Sequence, residues 1–223
     1  MISVTRIIIE RHALMLRKIS SLALLTISLS VLSASAEDWL QFRGPNGQGI
    51  SKDTSVPTEW SATKNVKWKY PMPGRGFSSP IVVGDLVFLT SYTGSGSSLT
   101  RQLVCINRKT GKAEWTKEVK SENREFRSMG GFAYHGYASS SPISDGERVY
   151  VMYGTTGLIA YDLKGKQLWK KNVGTQTLAR FGSSSSPVLY KDMVIMTACS
   201  ESATIYAFNK KTGRVDFDSD EHT

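Results

Sequence analysis

The sequence predicts an all-β chain that builds about three blades of a β-propeller. Three observations predict it: a Ser-Pro motif that occurs three times, a pair of hydrophobic runs after each, and an aromatic residue at constant distance beyond a glycine in every copy. The copies open as Gly76-Phe77-Ser78-Ser79-Pro80-Ile81-Val82, Ala138-Ser139-Ser140-Ser141-Pro142-Ile143 and Ser184-Ser185-Ser186-Pro187-Val188-Leu189. Seven residues beyond each proline stand Val87, Val149 and Val194, followed by Phe88, Tyr150 and Ile195, so the register is kept.

Between the paired runs lie Val83-Gly84-Asp85, Asp145-Gly146-Glu147 and Tyr190-Lys191-Asp192. The Asp-Gly pair of the second copy is a strong two-residue hairpin signal, and each copy is expected to open with a hairpin. A third apolar stretch then runs into an Asn or Asp, a glycine, and an aromatic four residues later. These are Leu103 to Asn107 with Gly111 and Trp115, Leu158 to Asp162 with Gly165 and Trp169, and Ile205 to Asn209 with Gly213 and Phe217. An Asn or Asp side chain closes a turn on its own backbone and glycine supplies a positive φ, which makes a second hairpin. Two hairpins make a four-stranded unit, and the proline spacings of 62 and 45 residues are of blade size. A β-sandwich would not explain an aromatic that recurs at constant phase, whereas blades packed face to face place it between neighbours.

Asn107 to Trp115, with its echoes at Asp162 to Trp169 and Asn209 to Phe217, resembles the tryptophan-docking repeat of the pyrroloquinoline-quinone-like propellers. That family holds quinoprotein alcohol dehydrogenases, a barrel-assembly scaffold lipoprotein of bacterial outer membranes, and many exported proteins of unknown role. The segment Trp39-Leu40-Gln41-Phe42-Arg43-Gly44-Pro45-Asn46-Gly47 is similar to the opening of the last group. The resemblance implies Trp68, Trp115, Trp169 and Phe217 as docking aromatics, the last departing from the usual tryptophan. It also implies that Val66 to Tyr70 is an outer strand completing the last blade of a ring. Such rings close with about four to eight blades, which removes exposed strand edges, so three blades form an incomplete ring. Missing blades or self-association are expected to close it, and a truncated fragment is the alternative.

Upstream, Arg17 and Lys18 precede an apolar run from Ile19 to Leu32, and Ala34-Ser35-Ala36 supplies a small-residue cleavage site. This is the layout of a secretory signal peptide cut after Ala36; five hydroxyl residues and a length below about 20 argue against a spanning helix. The start is open between Met1 and Met15. Residues 1–36 are thus read as extension and signal peptide, 37–65 as a lead-in segment, and 66–223 as the partial propeller, in a periplasmic or extracellular setting. Cleavage lowers the formal charge of +9 to about +6, with Lys and Arg scattered, so neither a nucleic acid nor a stable membrane anchor is expected.

The residues ahead of each Ser-Pro pair should lie at one mouth of the central channel. They are Arg75 and Phe77, then Tyr134, His135 and Tyr137, then Arg180 and Phe181, a set suited to an anionic, planar or sugar-like ligand through charge-assisted hydrogen bonds and stacking. A solvated rim with aromatics packed between blades is the plainer alternative. The charged loop after Lys117, with Glu118, Glu122, Arg124, Glu125 and Arg127, is expected to be solvated. The serines lack a recurrent histidine or a nucleophile elbow, and crowding near the axis explains them. Cys105 and Cys199 read as free thiols, and His12, His135 and His222 make no metal cluster.

The reading that results is an exported, non-catalytic propeller that binds a protein or glycan or acts as a scaffold, with no cofactor. The alternative, part of a quinone-dependent dehydrogenase with bound pyrroloquinoline quinone and calcium, needs a near-complete ring around the cofactor.

Overall fold

The computed structural model describes residues 37–123, 125, 137–178 and 182–219. The leader expected before Glu37 lies outside them. Three four-stranded antiparallel sheets follow one another along the chain. Blade 1 consists of β1 (Ile81–Val83), β2 (Leu86–Thr93), β3 (Thr100–Asn107) and β4 (Ala113–Lys120). Blade 2 has β5 (Ile143–Ser144), β6 (Arg148–Met152), β7 (Leu158–Asp162) and β8 (Gln167–Lys171). Blade 3 has β9 (Val188–Tyr190), β10 (Met193–Ala198), β11 (Thr204–Asn209) and β12 (Val215–Asp218). Within each sheet the strands stand in sequence order. The chain is therefore all-β, with the blades of an incomplete propeller.

Turn chemistry sets the hairpins. Blades 1 and 3 use two-residue turns, Gly84-Asp85 and Lys191-Asp192, with Gly84 and Lys191 both at positive φ. The Asp-Gly pair of blade 2 lies in a wider turn, because the Asp145 carboxylate accepts from the backbone N–H groups of Glu147 and Arg148 at 3.0 and 2.7 Å and holds the loop open. Each outer hairpin is closed by the expected side chain. Oδ1 of Asn107 accepts from the N–H of Lys109 and Thr110, Asp162 from Lys164 and Lys166, and Asn209 from Lys211 and Thr212, all between 2.8 and 3.1 Å.

The core lies between blades, since each sheet is a single layer and must bury its faces on its neighbours. Strand pairing lines up one rung of four side chains per blade: Ile81, Phe88, Cys105 and Trp115 in blade 1, and Ile143, Tyr150, Ala160 and Trp169 in blade 2. The blade 1 rung packs with Val149, Val151, Tyr153, Ile159 and Tyr161 of blade 2. The blade 2 rung packs with Val194, Met196, Ala198 and Phe208 of blade 3. Full burial of each large apolar side chain contributes roughly 1.5–3 kcal/mol, so these two seams hold the blades together.

The lead-in segment straps the innermost strands. Trp39 exchanges backbone hydrogen bonds with Val82 at 2.9 and 2.8 Å, and Ser144 N–H donates to Leu40 O at 2.8 Å. Residues 66–70, expected as an outer strand, join no ladder; they run beside blade 1 with Trp68 inserted against it. Strand pairing needs a neighbouring edge, and none of the described sheets offers one there.

Candidate functional site

Two structural devices recur at every blade junction. At the rim, the indole N–H of one segment donates to a backbone carbonyl of the following blade: Trp68 to Arg108 O at 2.8 Å, Trp115 to Leu163 O at 3.0 Å, and Trp169 to Lys210 O at 3.2 Å. Each ring also lies over that blade's turn glycine. A Cβ on Gly111 would stand 2.4 Å from Trp68, on Gly165 2.9 Å from Trp115, and on Gly213 2.8 Å from Trp169. These glycines have φ of 70°, 83° and 67°, so both backbone conformation and ring contact demand them. The carbonyl and the glycine together make a socket for the aromatic of the preceding blade.

Near the axis, the serine before each proline forms the second device. Ser79 N–H donates to Ser141 Oγ, and Ser141 N–H donates to Ser186 Oγ, both at 2.9 Å. The hydroxyl chemistry of the Ser-Pro motif therefore joins blades, which crowding alone did not anticipate.

Blade 3 carries the same rung as its predecessors, Val188, Ile195, Ala207 and Phe217 in register. Here it faces outward. Val188 is 53% exposed, Ile205 45% and Phe217 43%, against 8% for Trp169. Alternation sends Leu189, Tyr206 and Phe208 to the blade 2 seam, which leaves the other side apolar and open.

The residues expected at the channel mouth divide. Arg75 and Phe77 line a cleft of about 400 Å³ with Met72, Leu89, Ser91 and Tyr92, and both are exposed. Arg75 pairs with Tyr92 through two backbone hydrogen bonds of 3.0 and 2.7 Å, and Phe77 N–H donates to Ala138 O at 2.9 Å. Tyr137 is packed edge-on to Tyr92 with ring centroids 5.2 Å apart, and its carbonyl accepts from Arg101 Nε at 2.8 Å. Tyr134, His135, Arg180 and Phe181 lie outside the described residues. Phe217 stands at the rim of blade 3, and Trp68, Trp115 and Trp169 fill the sockets.

Arg101 is the residue the sequence did not single out. It is 1% exposed. Its guanidinium pairs with Glu125 Oε1 at 2.6 Å and donates to Thr156 Oγ1 at 2.9 Å, and it stands over the rings of Tyr137 and Tyr153, each 5.9 Å away. Glu125 also accepts from Thr155 Oγ1 at 2.7 Å, so this acid of the charged loop is buried in a cross-blade ion pair where solvation was expected. A lone arginine at the head of the apolar run Leu103 to Ile106 was the available signal. Burial raises the Glu201 carboxyl above its usual range, opposed in part by the Ser183 hydroxyl. Burial also pushes the Cys105 thiol up to about 12, with Glu114 adding to the effect. Both cysteines are free, Cys105 buried and Cys199 exposed. Among the described residues no group of His, Cys, Asp or Glu is arranged to hold a metal ion.

Residues 92–219 match the model of the family described as outer membrane protein assembly factor BamB. The chain belongs to that family. This BamB-type chain is similar in fold to BamB from Moraxella catarrhalis, at 17% identity and a TM-score of 0.46, covering 69% of this chain and 39% of that one. It is similar to a europium-containing methanol dehydrogenase, at 16% identity and 0.46, over 65% of this chain and 24% of that one. It is likewise similar to quinohemoprotein alcohol dehydrogenase from Comamonas testosteroni, at 22% and 0.46, over 65% and 21%. The chain thus spans about two-fifths or less of the length of these solved proteins. No curated protein matches it. The family's description places its members with the outer membrane, and among the described residues no helix is long and apolar enough to cross a membrane.

Proposed function

We propose that this BamB-type chain is an exported, non-catalytic module that works by binding another protein, with the outer face of blade 3 as its contact surface. The observation that carries this reading is the outer side of blade 3: Val188, Ile205 and Phe217 are exposed and apolar there, whereas the matching sides of blades 1 and 2 are covered by the next blade. Exposed apolar patches rimmed by polar groups mark interaction sites, and sheet faces of this kind are covered by other sheets. Lys211, Arg214 and Asp216 supply the polar rim. In this reading the chain needs no quinone and no calcium, and it acts outside the cytoplasm.

A photo-crosslinking residue at Val188 or Ile205, in the host envelope, is expected to give protein adducts that disappear in Phe217→Asp, while the same residue at Lys117 gives none. Equal adducts at all three positions would overturn the assignment. So would a saturable rise in thermal stability on titration with pyrroloquinoline quinone and calcium, because that would make the chain a cofactor-binding dehydrogenase part.

A further inference from the structure

The buried polar cluster around Arg101 holds more acid than base. It gathers where the second strand of each blade passes to the third: Arg101 lies near the start of β3, Thr155 and Thr156 lie between β6 and β7, and Glu201 lies between β10 and β11. Glu125 enters from the chain that follows β4, and Ser183 from the chain that leads into β9. Gly154 makes room for the meeting. A Cβ there would stand 3.1 Å from Glu125 Oε2 and 3.6 Å from both Arg101 Nη2 and Ser183 Cβ.

Glu201 and Arg101 are each 1% exposed, and the Glu125 side chain is 9% exposed. Two carboxyl groups therefore share one guanidinium out of water. Among the described residues, Glu125 and Arg101 are the charged groups that act on Glu201. With both acids ionised the cluster would bury an unpaired negative charge, which a low-dielectric interior penalises heavily. One proton makes it neutral. The two acids do not hold that proton equally. Glu125 Oε1 accepts from Arg101 Nη2 at 2.6 Å, Thr155 Oγ1 at 2.7 Å and Ser121 Oγ at 3.2 Å, all of which favour its ionised form. Glu201 has the Ser183 hydroxyl and its own backbone N–H, so the proton belongs there.

The turn that carries Glu201 also anchors a neighbouring segment. Gln176 N–H donates to Glu201 O at 3.0 Å, and Leu178 N–H donates to Ser200 O at 2.8 Å. We propose that Arg101, Glu125 and Glu201 form a proton-gated latch: the neutral Glu201 carboxyl keeps the Ser200–Ser202 turn seated in the cluster, and loss of its proton to water releases that turn together with Gln176 and Leu178. The latch is independent of the contact surface assigned to the outer side of blade 3. Released into water, Glu201 is an ordinary carboxyl near 4.5. Seated, it is raised by burial and by Glu125, against the pull of the Ser183 hydroxyl and Arg101. Opening should therefore gain about tenfold in equilibrium constant for each pH unit above 4.5 and level off at the raised value.

Hydrogen exchange of the chain, resolved by residue and corrected for the intrinsic pH dependence of amide exchange, tests this. Protection at Gln176 and Leu178 is expected to fall about tenfold per pH unit above 4.5 and to stay below that of the β2–β3 ladder. Glu201→Gln cannot ionise and is expected to hold protection constant. Glu125→Gln leaves Arg101 to Glu201 alone, so Glu201 ionises in place and the fall is expected to vanish there too. Constant protection in the intact chain would overturn the latch, as would a fall that persists in either variant. Protection equal to that of the ladder would also overturn it, because the opening would then be global unfolding. Should Glu125→Gln not fold, the carboxyl carbon resonance of Glu201 in the intact chain takes its place. A titration midpoint above 4.5 that coincides with the fall in protection is expected, and any other midpoint refutes the latch.

Discussion

Replacing Trp169 by alanine tests the physical basis of the whole architecture. Trp169 is 8% exposed and packs between Tyr150 and Phe208, with ring centroids 5.8 and 6.4 Å away. Truncating a buried tryptophan to alanine costs about 3–5 kcal/mol through lost transfer energy and the cavity left behind. The lost bond to Lys210 O adds little, because Tyr150 Oη stands 3.1 Å from the same oxygen and can keep it satisfied. A total of about 4 kcal/mol follows, and in a domain of this size each kcal/mol lowers the melting temperature by about 2–4 °C, giving about 8–16 °C. Phe217, at the same phase but on the open face, should lose only about 1 kcal/mol on truncation, since surface changes are small. Thermal melts followed by far-ultraviolet circular dichroism, checked by calorimetry, read both. Equal shifts for Trp169→Ala and Phe217→Ala would refute the reasoning, because the buried seam would then contribute no more than an open face.

Three further outcomes are expected. Arg101→Ala leaves Glu125 buried without its partner and should cost about 3–5 kcal/mol in a urea titration, while Lys64→Ala, which removes only the exposed pair with Glu59, should change stability by less than about 1 kcal/mol. Ellman's reagent should titrate Cys199 alone in the native protein and both thiols after unfolding, because burial protects Cys105; two fast thiols in the folded chain would contradict its place in the blade 1 rung. Burial keeps Glu201 protonated in the folded chain at a pH where the unfolded chain, with its carboxyl near 4.5, has released the proton. Stability should therefore fall as pH rises from about 4.5 through the raised folded value, and Glu201→Gln should remove that slope; an unchanged pH profile would count against it.

The repeat made the blades legible in the sequence, because hairpin turns and apolar alternation are local and recur in phase. Asn107, Asp162 and Asn209 close the turns that their positions imply. The destination of the aromatics was less legible. Trp115 lies four residues from Gly111, yet the glycine it covers is Gly165, in the next blade, and no local spacing carries that information. The axial serines escaped for the same reason: a hydroxyl that accepts from a residue 62 positions away reads, in sequence, as a small side chain. Arg101 was hidden inside a hydrophobic run, and only the fold brings Glu125, Thr156 and Tyr137 around it. Of the mouth residues, Arg75 and Phe77 do share a cleft, whereas Tyr137 is taken up by packing.

The strap formed by Trp39 and Leu40 has a consequence for biogenesis. Its second anchor, Ser144, lies 104 residues beyond Leu40, so the strap is not fully fastened until blade 2 has emerged during synthesis. Loop closure over such a distance is slow relative to hairpin formation but adds little thermodynamic cost, since the entropy grows only logarithmically with length. Until that moment the strap holds only by Trp39 on Val82 of β1, and the inner edge of β5 has nothing to pair with. The order in which the two anchors form therefore follows the order of synthesis, blade 1 first and blade 2 second.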